Sequence, residues 1–134
     1  MSDKLYYSRI EGERKSAVLE KLTRIFEGDK RIKLAYIFGS FTRRSKVRDI
    51  DLAVYATPAL TFDSFFDLNA RIELALRIPV DLVQLQYVSP ALRQKIVMHG
   101  VSLVIKNRIM HHYVLSQAFA ELQDFRQKLE KIKR

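Results

Sequence analysis

Asp49-Ile50-Asp51 opens a short apolar run, DIDLAVY, at positions where an ordinary strand would carry valine or isoleucine. Side chains alternate along a strand, so aspartates two apart project to the same face, with Cα atoms roughly 6 to 7 Å apart. Left alone they repel, and one tends to hold its proton. At that spacing they can instead converge on a pair of divalent ions about 3.5 to 4 Å apart, and all-oxygen ligands favour Mg2+ or Mn2+ over zinc. An isolated Asp-x-Asp is more often a strand-edge residue beside a solvated one. Here the same face continues through Ala53 and Tyr55, which is not the pattern of a face open to water. A second apolar run, IPVDLVQL, carries Asp81. Its plain reading is a strand-start residue after Pro79; its sharper one is the third acid of a metal-binding triad.

Upstream, the apolar run IKLAYIF breaks at Gly39-Ser40. Alone, Gly-Ser is a common turn. Straight after a strand and before a short helical turn, it offers backbone N–H groups and a hydroxyl to phosphate oxygens. Arg43, Arg44, Lys46 and Arg48 follow, a solvated loop from which one or two side chains, Arg44 and Lys46 the candidates, are expected to touch a triphosphate.

These residues need elements to hold them. Val18, Leu22, Ile25 and Phe26 place a helix over 10–27, stopped at Gly28. Strands are expected at 32–38 and 49–55, the second with Ile50, Leu52 and Val54 on one face. Phe62, Phe65, Leu68, Ile72 and Ala75 mark a helix over 61–77, and VDLVQLQYV a third strand after Pro79. Ser89-Pro90 is a helix opening, a capping hydroxyl followed by proline in the first turn. That helix should stop near Gly100, with a last strand over 101–106 and one long helix from about 108. Strands interleaved with helices predict an α/β (α+β) sandwich: a mixed β-sheet of about four strands flanked by helices. Residues 1–106 form the expected domain, and 107–134 a C-terminal helix packing on that domain or on a partner.

Composition narrows the field. The chain has 134 residues, 48% of them apolar, which is enough for one packed core. With no cysteine, disulfides, thiol nucleophiles and thiolate metal sites are excluded. No stretch reaches the roughly 18 apolar residues of a membrane span, and the early charges do not suit a signal peptide. A soluble, cytoplasmic protein without a membrane partner is the expectation. The net charge of +9 points toward polyanions, among them nucleotides and RNA, without choosing between them.

The stretch FGSFTRRSKVRDIDLAV, with the later VDLV, resembles the signature of the DNA polymerase β-like nucleotidyltransferase superfamily: Gly-Ser, a spacer, Asp-x-Asp, then a third aspartate. The short chain is similar to its minimal nucleotidyltransferase (MNT) group, and the resemblance covers roughly residues 32 to 106. Two features depart from the group's pattern. The spacer of eight residues is slightly short, and Ser45 follows Arg43-Arg44 where an arginine is often followed by glycine.

The resemblance implies the polymerase β-like fold and Mg2+-dependent transfer of a nucleotide, AMP from ATP, to an acceptor hydroxyl. It implies that Gly39 and Ser40 hold the triphosphate and that Asp49 and Asp51 ligate two Mg2+ ions. Asp81 would complete the metal site and help deprotonate the acceptor. MNT proteins commonly accompany HEPN-domain RNase toxins and neutralise them by modifying a toxin tyrosine, so the implied role is that of an antitoxin. The alternatives are transfer to RNA or a small molecule, and a non-catalytic module that binds a toxin.

In the tail, Leu115, Ala118, Leu122, Phe125, Leu129 and Ile132 follow a heptad seam flanked by Glu121 and Arg126. The plain reading has the seam covering the domain's own sheet; the sharper one has it docking a second copy, giving a homo-oligomer, or a helical toxin. His99 suits a helix C-terminus, and RIMHHY (108–113) reads as helix surface; no histidine is assigned to catalysis.

Overall fold

The computed structural model describes residues 14–39, 41 and 49–133. The expected helix before Lys15 and most of the basic loop therefore lie outside the described residues. In chain order the elements are α1 (Lys15–Glu27), β1 (Ile32–Phe38), β2 (Ile50–Ala56), α2 (Phe62–Leu76), β3 (Val80–Gln84), a 3-10 turn (Leu85–Tyr87), α3 (Pro90–His99), β4 (Val101–Ile105) and α4 (Arg108–Lys133).

Each helix forms where the sequence offers an apolar stripe and an end signal. Val18, Leu22 and Phe26 line the buried face of α1, and Leu68, Ile72 and Leu76 that of α2. Thr61 and Ser89 cap α2 and α3, their hydroxyls accepting from Ser64 N and Leu92 N at 3.2 Å. The Asn107 side chain accepts from Met110 N at 3.0 Å at the start of α4.

The sheet runs β3-β2-β1-β4. β1 is antiparallel to both β2 and β4, while β2 and β3 are parallel. One face carries Ile37, Ile50, Leu52 and Val54 against α1 and α2; the other carries Leu34, Tyr36 and Ala53 against Ile96 of α3 and Val114 of α4. Burying a side chain of this size contributes about 1.5 to 3 kcal/mol. The mixed sheet between helices agrees with expectation.

Three details differ from it. β2 begins at Ile50, so Asp49 stands just before the strand instead of inside it. The third strand stops at Gln84 and turns into the 3-10 segment. The reason is Arg93 of α3, whose guanidinium donates to the carbonyls of Leu85 (3.0 Å), Gln86 (3.2 Å) and Val88 (3.1 Å). Carbonyls satisfied by an arginine no longer need a strand partner. Third, His111 is half-buried, not surface: its ring stacks on Tyr36, centroids 6.0 Å apart.

The tail helix divides along its length. Val114 and Ala118 are buried, and Glu121 pairs with Arg93 through both oxygens at 3.2 Å. From Gln123 to Lys133 every residue is exposed. The heptad seam thus covers the domain only at its beginning.

Candidate functional site

Antiparallel pairing sets Phe38, the last residue of β1, opposite Asp51 near the start of β2. Parallel pairing sets Asp51 opposite Asp81 at the start of β3. Neighbouring strands lie about 4.8 Å apart and paired residues share a face, so two acids distant in sequence become neighbours. Asp51 is half-buried, whereas Asp49 and Asp81 are exposed. Burial pushes the Asp51 carboxyl up, and the negative charges of Asp81 and then Asp49 push it further.

Gly39 closes the site from the β1 side. It adopts φ +73°, in the left-handed region that favours glycine. A Cβ there would overlap Oδ2 of Asp51 and lie 3.1 Å from its Cγ. Glycine is favoured by the backbone angle, and any Cβ would also oblige the Asp51 carboxylate to turn aside. Ser40, Arg44 and Lys46 lie outside the described residues, as do Arg43 and Arg48. Phe41, between them, is buried, and Lys15 at the start of α1 donates to its carbonyl at 2.8 Å while sitting 4.9 Å from its ring centroid. That anchor was not read from the sequence, because nothing local links residues 15 and 41.

The donor set is chemically suited to a divalent cation. It is all oxygen and all carboxylate, and the two causes that raise Asp51, burial and like charge, are those a bound cation would offset. Among the described residues, no group of three acidic or histidine side chains already encloses an ion position. The exposed Asp49 and Asp81 retain side-chain freedom to turn toward one.

The sequence profile of the Polymerase beta nucleotidyltransferase family matches residues 20–109, which span Gly39, Asp49, Asp51 and Asp81. The chain belongs to this nucleotidyltransferase family. A curated relative, Protein adenylyltransferase MntA of Shewanella oneidensis, is 36% identical over 75 residues, and the match spans 54% of each chain. This nucleotidyltransferase chain therefore spans about half the length of that relative. Among solved structures, a toxin–antitoxin crystal structure with AMP-PNP aligns with TM-score 0.73 at 26% identity, over 85% of this chain and 94% of that one. A tri-AMPylated Shewanella oneidensis HEPN toxin in complex with an MNT antitoxin aligns with TM-score 0.72 at 24% identity, over 87% and 93%. The architecture is that of the polymerase beta-like nucleotidyltransferases.

Among the described residues, no helix is long and apolar enough to cross a membrane.

Proposed function

We propose that this nucleotidyltransferase moves AMP from ATP onto a hydroxyl of a partner protein, a tyrosine of a HEPN-domain toxin, and so acts as its antitoxin. The observation that carries the chemistry is the register placing Asp51 beside Asp81, with Gly39 pressed against the Asp51 carboxylate. The names of its relatives support the acceptor: a protein adenylyltransferase, and toxin–antitoxin complexes containing AMP-PNP or an AMPylated toxin.

The acceptor oxygen attacks the α-phosphorus, the bond from that phosphorus to the bridging oxygen breaks, and pyrophosphate leaves. Gly39 lets the backbone approach the phosphates, and Ser40, Arg44 and Lys46 supply donors and positive charge to them. Asp49, Asp51 and Asp81 would hold Mg2+, which when bound offsets charge on the phosphate oxygens. Asp81, exposed at the strand start, would take the proton of the acceptor hydroxyl. Most of the work left to the protein is positioning.

The test uses ATP labelled at the α-phosphate, Mg2+, and the purified chain mixed with a HEPN toxin encoded beside it. Label on the toxin, lost when Asp49 and Asp51 both become asparagine in a folded variant, is the expected result. No label on the toxin despite tight association makes the chain a binding module, and label on RNA instead names a different acceptor.

A further inference from the structure

Phe41 lies two positions past Gly39, and helix α1 holds it in two ways. The Lys15 ammonium donates to the Phe41 carbonyl at 2.8 Å. It also stands 4.9 Å from the centre of the Phe41 ring, within the range at which a cation is attracted to an aromatic face. The ring is 4% exposed and belongs to the core cluster that includes Val18, one turn after Lys15 on the same face of α1. Core packing fixes where the side chain sits. The bond to the carbonyl fixes how the rigid peptide plane is turned.

Gly39 has a different partner, its backbone lying against the Asp51 carboxylate. Ser40 stands between the two in the chain. The residues on either side of Ser40 are thus tied to separate parts of the fold, Gly39 to β2 and Phe41 to α1.

We infer that Lys15 is a positioning residue for the nucleotide: by holding Phe41 it keeps the backbone after Gly39 set for the triphosphate before ATP arrives. The inference rests on the phosphate role proposed above for Gly39 and its neighbours. A backbone ordered in advance does not have to be ordered by the nucleotide, and the affinity gains what that ordering would have cost. The lysine head group is the part of the anchor that apolar packing cannot replace. Methionine keeps a long apolar stem but offers the carbonyl no donor, whereas arginine keeps both the donor and the cation.

The experiment compares the wild-type chain with Lys15→Met and Lys15→Arg. Calorimetric titration with MgATP gives a dissociation constant without any acceptor present. Lys15→Met should weaken binding on the order of tenfold, the worth of one hydrogen bond from a charged donor. Lys15→Arg should stay within about threefold of wild type, because the donor and the cation over the ring are kept. Backbone relaxation in the nucleotide-free chain separates positioning from direct contact with phosphate. In Lys15→Met the order parameter of Phe41 should fall, while those of Ile37 and Leu52 stay at their wild-type values.

Unchanged MgATP affinity in Lys15→Met overturns the inference even if the melting temperature drops, since a purely structural anchor would do the same. Weaker binding with an unchanged order parameter at Phe41 overturns it too, because the ammonium would then act on the phosphates directly. A wild-type chain that binds no MgATP overturns both this inference and the proposed chemistry. A chain that binds MgATP but labels no toxin fails only the antitoxin role, and the two comparisons stand.

Discussion

Gly39 packs its backbone against the carboxylate of Asp51 so closely that a Cβ would fit only with the carboxylate turned aside. The end of one strand thus meets the start of the next at the most buried of the three aspartates.

Gly39→Ala should destabilise the protein by about 1 to 2 kcal/mol from the left-handed backbone, with a smaller addition for turning the Asp51 carboxylate aside. In an Asp51→Ala background the overlap is gone and only the backbone part should remain. Denaturant titration of the single and double variants measures the difference. Equal losses in both backgrounds would mean that the carboxylate is not the obstacle.

Asp51→Asn should stabilise the fold while abolishing nucleotide transfer. Because the folded-state carboxyl is raised, chiefly by burial, the stability it contributes is full below its unfolded value and is lost as pH rises through the raised one. At neutral pH the charged form therefore costs stability, which a neutral amide recovers. Melting temperature against pH is the check: the gap between variant and wild type should close below about pH 4, near the ordinary Asp pKa. A variant less stable at pH 7 would show that the carboxylate has a cationic partner.

Arg93 joins the segment after β3, helix α3 and the tail helix through carbonyls of Leu85, Gln86 and Val88 and the carboxylate of Glu121. Its side chain is only 11% exposed. Arg93→Ala should cost about 1 to 3 kcal/mol, from the carbonyls it leaves unpaired, since the Glu121 carboxylate is 39% exposed and can turn to water. Arg93→Lys should recover little, since an ammonium lacks the planar fork. Glu121→Gln should be milder because the carbonyl contacts remain. Urea denaturation of the three variants gives this order or refutes it.

Tyr36 carries a buried hydroxyl with no hydrogen-bond partner among the described residues, and burial pushes its pKa up to about 12. Tyr36→Phe removes an unpaired polar atom and should leave stability unchanged or raise it by about 1 kcal/mol. Ultraviolet titration supplies a second readout. Of six tyrosines, one component should ionise only near pH 12, and it should vanish in the variant. The sign follows from linkage: the unfolded phenol ionises near 10, so this contribution to stability is whole below that pH and is lost between there and about 12.

The motif was legible because its parts are local. Gly39 and the Asp49–Asp51 pair are read from a strand's alternation and a break in apolar patterning, and Gly28, Ser89 and Gly100 mark element ends by short-range chemistry. Arg93 was not legible. Nothing near it in sequence says that its guanidinium collects three carbonyls and a carboxylate from a helix 28 positions on. The same bonds turned the expected third strand into a 3-10 segment after Gln84. His111 was misread for a similar reason, because its stacking partner, Tyr36, lies on a distant strand.

By itself the sequence determined which residue types could do chemistry and the periodicity of the elements carrying them, since both depend on neighbours a few positions apart. Only the tertiary structure decided that Asp81 lies opposite Asp51 and that Gly39 bears on that carboxylate. It also decided that the tail seam is covered for its first turns and bare thereafter. Strand register, close approach and burial are relations between segments far apart in the chain. They are fixed when two faces of one sheet bury their apolar side chains together, and no single segment carries that information.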